Sequence, residues 1–173
     1  MSDTNPSVKN RRYGKIIIFD GDTPPNKIIV DQEEGNLTFG IPNPDAGQHV
    51  GDRGALGQII RADEQEIAGS FTANFRKFLG VGGDDVTPFE AMLQKGNAAA
   101  WVSTLPANYG SVYTFGLQFI CENPDNTVQS EIITFNYCRA GTQNFSETAR
   151  ANQLTHPFID HEVEPSYTTG DMS

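Results

Sequence analysis

Between Glu66 and Arg76, apolar and polar residues alternate with a period of two. Ile67, Gly69, Phe71, Ala73 and Phe75 take one side, and Glu66, Ser70, Thr72, Asn74 and Arg76 the other, with Ala68 the one exception. That period predicts a strand with one face on the core and one face wet. The pattern returns twice. In "VYTFGLQFIC" (112–121), Tyr113, Phe115, Leu117 and Phe119 alternate with Thr114, Gly116 and Gln118. In "VQSEIITFNYC" (128–138), Ile133, Phe135 and Tyr137 alternate with Ser130, Thr134 and Asn136, and Ile132 breaks the rule. The intervening "ENPDNT" (122–127) is rich in turn residues. The pair therefore reads as a hairpin of strands longer than the usual five or six residues.

Shorter elements fill the rest. "YGKIIIFD" (13–20), "KIIVDQ" (27–32) and "LTFGI" (37–41) read as strands separated by the turns "GDTPPN" and "EEGN". Residues 42–57 carry four Gly and two Pro without periodicity and read as a long loop, followed by a short strand near 58–61. One helix is expected at 87–95: Thr87 is an N-cap, Pro88 takes the first helical position and Glu90 completes a T-x-x-E capping box. Phe89, Met92 and Leu93 form its apolar stripe, with Lys95 and Gly96 suited to its C-terminal end. A weak strand is expected near 152–159. This order predicts one mainly β domain, 13–158, a β-sandwich or split barrel with one flanking helix. Polar arms, 1–12 and 159–173, flank it.

Charge narrows the function classes. The net charge is −10, so the chain is unsuited to gripping nucleic acid, which needs clustered Lys and Arg. Lys9, Arg11, Arg12 and Lys15 crowd the beginning, whereas only acids, Asp160, Glu162, Glu164 and Asp171, follow Arg150. No apolar run approaches a membrane span, and the first residues lack the apolar core of a signal peptide.

Chemical machinery is not legible, and no enzyme, metal or cofactor is expected. The three histidines are His49, His156 and His161, and the spacing of the last two suits neither a helical nor a strand pair of metal ligands. "DGD" (20–22) and "DD" (84–85) do not continue into a calcium loop, and "GVGGDD" (80–85) lacks the Lys-Ser/Thr of a phosphate loop. There is no G-x-S-x-G. Cys121 and Cys138 lie at opposite ends of the expected hairpin, too far apart to pair.

Four blocks, taken in order, resemble the tail tube (major tail) protein of long-tailed bacteriophages. They are "FDGDTPPNKIIVDQEEGNLTFGIP", "ADEQEIAGSFTANFRKFLG", the capped "VTPFEAMLQKG", and "YTFGLQFICENPDNTVQSEIITFNYCRA" with a strand after it. The resemblance lies in order and texture and covers most of 13–158. It implies a subunit that joins itself in six-membered rings, stacked into a tube in the virion tail. Each subunit lends long strands to an inner barrel through which DNA passes without specific binding. The partners it implies are a tape measure protein, a tail terminator and baseplate or tail-tip proteins. The lumen-facing candidates are then Glu66, Ser70, Thr72, Asn74, Arg76, Thr114, Gln118, Thr134 and Asn136. The ring-stacking candidates are Lys9, Arg11 and Arg12 against Asp160, Glu162 and Glu164. The tube protein of type VI secretion shares the fold. Other readings are a tail terminator, decoration or baseplate-hub subunit, or a carbohydrate-binding β-sandwich. The last needs exposed aromatics, and Trp101 is the only Trp.

Overall fold

The computed structural model of the chain describes residues 14–31, 37–43, 48–52, 55–60, 65–74, 78–79, 85–121, 130–143, 153–162 and 165–170. Twelve strands and one α-helix succeed one another there: β1 Gly14–Phe19, β2 Lys27–Asp31, β3 Thr38–Gly40, β4 Gln48–Asp52, β5 Ala55–Ile60, β6 Ile67–Asn74, β7 Phe78–Leu79, β8 Asp85–Val86, α1 Pro88–Leu93, β9 Phe115–Cys121, β10 Ser130–Ala140, β11 Gln153–Asp160 and β12 Ser166–Gly170. Eight strands form one antiparallel sheet in the order β2-β1-β9-β10-β11-β6-β3, and β12 adds to β10. The expected mainly β fold with a flanking helix is what the chain forms.

Three elements differ from expectation. The supposed loop 42–57 contains strand β4 and the start of β5, which pair with each other. The weak strand near 152–159 runs on to Asp160, and the supposed polar arm contributes β12. Exposed polar side chains suit an edge strand as well as a loop, so "SYTTG" gives no strong signal of pairing.

The sheet is strongly coiled. β3 lies three strands from β10, which would put it about 14 Å away in a flat sheet. Yet Phe39 of β3 meets Phe135 of β10 edge to face, ring centroids 5.2 Å apart, and Phe135 meets Phe158 of β11 at 5.6 Å. Coiling wraps the sheet around a core of Ile16, Ile18, Ile28, Val30, Phe71, Phe115, Leu117, Phe135 and Phe158. Ala91, Met92 and Trp101 join the core from the helix and the segment after it.

Helix α1 starts as the residues dictate. Thr87 Oγ1 accepts from the Glu90 N–H at 3.1 Å, and the Glu90 carboxylate accepts from the Thr87 N–H at 2.8 Å. Its end differs. The C-cap is Gln94 rather than Gly96, in the left-handed region at φ 53°, and its side chain donates to the Trp101 carbonyl at 2.6 Å. That hydrogen bond ties the helix end to the core segment, and the left-handed backbone at Gln94 ends α1 after six residues.

Asp20, just past β1, organises the neighbouring turn. It is buried, and its Oδ1 accepts from the N–H groups of Asp22 and Asn26. Its Oδ2 accepts from Asn26 Nδ2 and the Val102 N–H. The "DGD" aspartate is thus a fully partnered structural carboxylate, consistent with its failure to continue as a calcium loop.

Candidate functional site

The alternation in β6 sets the candidate site. Ile67, Phe71 and Ala73 are buried, so Glu66, Ala68, Ser70 and Thr72 stand on the side away from the core. Register places Ser70 between Thr38 of β3 and Pro157 of β11, and Thr72 beside Thr155. Directly opposed residues share a face. The hydroxyls of Thr38 and Ser70 lie 3.1 Å apart, and those of Thr72 and Thr155 3.5 Å apart. The result is a strip of four hydroxyls running across three strands, with the exposed Arg139 of β10 on the same face one row away, beside Ile159 and Ala68. Glu66 ends the strip, and its carboxylate meets His161 Nδ1 at 2.7 Å. Asn74 closes β6 opposite Gln153, and Arg76 lies outside the described residues.

The sector around β9 and β10 differs from the expected polar face. Thr114 is only 1% exposed; its hydroxyl lies 3.0 Å from that of Ser103 and accepts from the Leu105 N–H at 2.9 Å. It fastens a loop and presents no surface. Gln118 and Thr134 are paired across the hairpin, but Thr134 is buried and Gln118 half-buried. Register aligns them with Ile17 of β1 and Ile29 of β2, while Ile120 and Ile132 form the next row. Phe19, opposite Gly116, lays its ring where a Cβ on that glycine would sit. The centre of this face is apolar, while Lys15 and Asp31 extend the row of Ile120 and Ile132 and Lys27 lies beside Phe19. The signal was available in "KIIIF" and "KIIV", where apolar residues occupy successive positions and so leave no polar face.

Asn136 sits in a bulge. The β9 partners of Phe135 and Cys138 are Leu117 and Phe115, so β10 has one residue more than its neighbour there. The bulge shifts the alternation: Ile133 and Phe135 face the core before it, and Cys138 and Ala140 after it. Tyr137, expected beside Phe135 on the apolar face, is therefore half-buried outside the core cluster. On its other edge β10 meets a second irregularity, where β11 gives way to β12. Cys138 pairs with Asp160 and Thr134 with Ser166, leaving three residues of β10 against five of the other segment. Two carboxylates fill the gap. Glu162 accepts from the Asn136 N–H at 3.2 Å and from Asn136 Nδ2, and Asp160 Oδ1 accepts from the Tyr137 N–H at 3.3 Å.

Asp160 is consequently not a residue of an exposed arm. It is 0% exposed, faces the core between Cys138 and Ile67, and its Oδ2 has no hydrogen-bond partner among the described residues. Burial and the neighbouring Glu162 raise its carboxyl from 3.8 to about 6. The Cys138 thiol is pushed well up by burial, then by Asp160 and Glu162, and stays neutral. Lys9, Arg11, Arg12 and Glu164 lie outside the described residues.

His156, on the core face of β11, is buried against Phe71, and its Nδ1 lies 2.9 Å from Gln143 Oε1. Burial lowers it from 6.5 to about 4, so it is a neutral core residue at neutral pH. Trp101 is likewise buried and offers no sugar-stacking surface. Among the described residues, no group of three or more His, Cys, Asp or Glu is placed to hold a metal. No described helix is long and apolar enough to cross a membrane. In comparisons with known proteins, no family model and no curated sequence matches the chain.

Proposed function

We propose that this chain is a structural virion protein, a tail tube subunit that closes into rings, six-membered as in the family it resembles, and stacks them into a conduit for DNA. The observation that carries the reading is the uncharged hydroxyl strip of Thr38, Ser70, Thr72 and Thr155 on a chain of net charge −10. A wall along which a polyanion slides must offer no cationic grip. Hydroxyls paired with one another satisfy that condition, and a negative overall field opposes adhesion. Ring closure would also cover the unpaired edges of β2 and β3, which end the sheet among the described residues.

The lumen set keeps Glu66, Ser70, Thr72, Asn74 and Arg76 and gains their neighbours Thr38 and Thr155; Thr114 and Thr134 are withdrawn because they are buried, Gln118 because it is half-buried beside Ile17, and Asn136 because Glu162 holds it. The stacking contact loses Asp160 for the same reason. Its basic half, Lys9, Arg11 and Arg12, stays in the proposal; neutralising Arg11 and Arg12, or adding salt, is expected to shorten assembled tubes. The reading is tested by electron microscopy and sedimentation of the purified chain over a range of concentrations. Rings or tubes with a central channel are expected. Single rings that never stack would favour a terminator, and a monodisperse monomer at high concentration would count against both.

A further inference from the structure

We propose that the break between β11 and β12 is a proton-operated latch: uptake of one proton by the buried Asp160 carboxylate fastens β12 to β10. The geometry stands apart from any ring reading. β12 pairs only with β10 among the described residues, so its hold depends on the five pairs from Ser130–Gly170 to Thr134–Ser166. Immediately before those pairs the ladder is irregular: the His161 N–H donates to the Tyr137 carbonyl at 3.3 Å, while two carboxylates take the Asn136 and Tyr137 N–H groups. One of them, Glu162, retains partners on both oxygens, from Asn136. The other, Asp160, holds one oxygen in the core with no donor among the described residues.

An ionised carboxylate there bears the cost of an unsatisfied buried charge and of repulsion from Glu162. A proton on Oδ2 removes both penalties, while Oδ1 can still accept from the Tyr137 N–H. Opening the seam instead admits water and relieves the ionised form, so β12 is held more weakly above the titration of Asp160 than below it.

Each neighbouring element supplies a defined group. On β10, Cys138 stands opposite Asp160 as a neutral thiol 3.9 Å from the Phe135 carbonyl, and the Tyr137 N–H donates to the Asp160 carboxylate and, like the Glu162 backbone N–H, lowers its proton affinity. On β6, Ile67 stands opposite and brings no charge. After β11, Glu162 raises the proton affinity, whereas His161 lowers it and is turned toward Glu66. His156 is neutral above about 4, bonds Gln143, and takes no part in the pH range concerned.

The test is made on the full chain by NMR, following the Asp160 carboxyl carbon together with hydrogen exchange of the Ser166–Gly170 amides. After correction for intrinsic exchange, protection of β12 is expected to rise about tenfold from pH 7.5 to pH 5, in step with the Asp160 signal. Asp160→Asn is expected to abolish that pH dependence. Glu162→Gln is expected to move the Asp160 titration to lower pH, because a like charge is removed. Should Asp160→Asn fail to fold, the wild type and Glu162→Gln decide the matter by themselves. An Asp160 carbon titrating below pH 4.5, or β12 protection that ignores its titration, overturns the proposal.

Discussion

At the scale of single residues, the two core-facing titratable groups of β11 pull in opposite directions. His156 has a folded value below its ordinary one, so its contribution to stability is complete above about 6.5 and is lost as pH falls toward about 4. Asp160 has a folded value above its ordinary one, so its contribution is complete below 3.8 and is lost as pH rises through about 6. Between these limits the wild type is expected to show a shallow dependence of Tm on pH. His156→Leu should leave a Tm that rises on acidification from pH 7 to 4.5, and Asp160→Asn a Tm that falls. Differential scanning calorimetry at several pH values checks both slopes, and parallel curves for the two variants would contradict the assignment. Residue identity also sets the helix start: Thr87→Ala removes the acceptor for the Glu90 N–H and should cost about 1 kcal/mol in urea unfolding.

At the scale of elements, the long strands were legible because their alternation is nearly regular, with Ala68 and Ile132 the exceptions. Ile67, Phe71 and Ala73 are buried as their period requires, and Phe71→Ala is expected to cost about 4 kcal/mol, again by urea unfolding. The capping box was legible because its two residues, Thr87 and Glu90, act locally. What escaped the sequence depends on residues distant along the chain. The bulge at 136–137 changes which side chains of β10 face inward, and it is held by Glu162, 26 residues away. Thr114 looks like a polar-face residue until the 103–105 loop packs over it. The second face of β9 and β10 depends on β1 as a neighbour, and a single strand's pattern does not identify its neighbours. The candidate site was accordingly legible on β6 and misread on β9 and β10.

At the scale of the whole molecule, the coiled sheet keeps its aromatic core inside and turns the hydroxyl strip outward. In isolation that strip meets bulk water; in a closed ring it would meet the channel. Thr72→Lys distinguishes the two situations. Its position is half-buried on the side away from the core, so the stability of the monomer should change by no more than about 0.5 kcal/mol. Within a ring, the same substitution would add repeated cations to the channel and should make DNA bind assembled tubes in a salt-dependent way. Gel shift of DNA by Thr72→Lys tubes, compared with wild-type tubes, checks this. The most direct test of the central claim is a cryo-electron microscopy reconstruction of assemblies grown from the purified chain. The expected map has Ser70, Thr72 and Thr155 lining a central channel of stacked rings. A map with those residues on the outer wall, or a chain that forms no ring at any concentration, would contradict it.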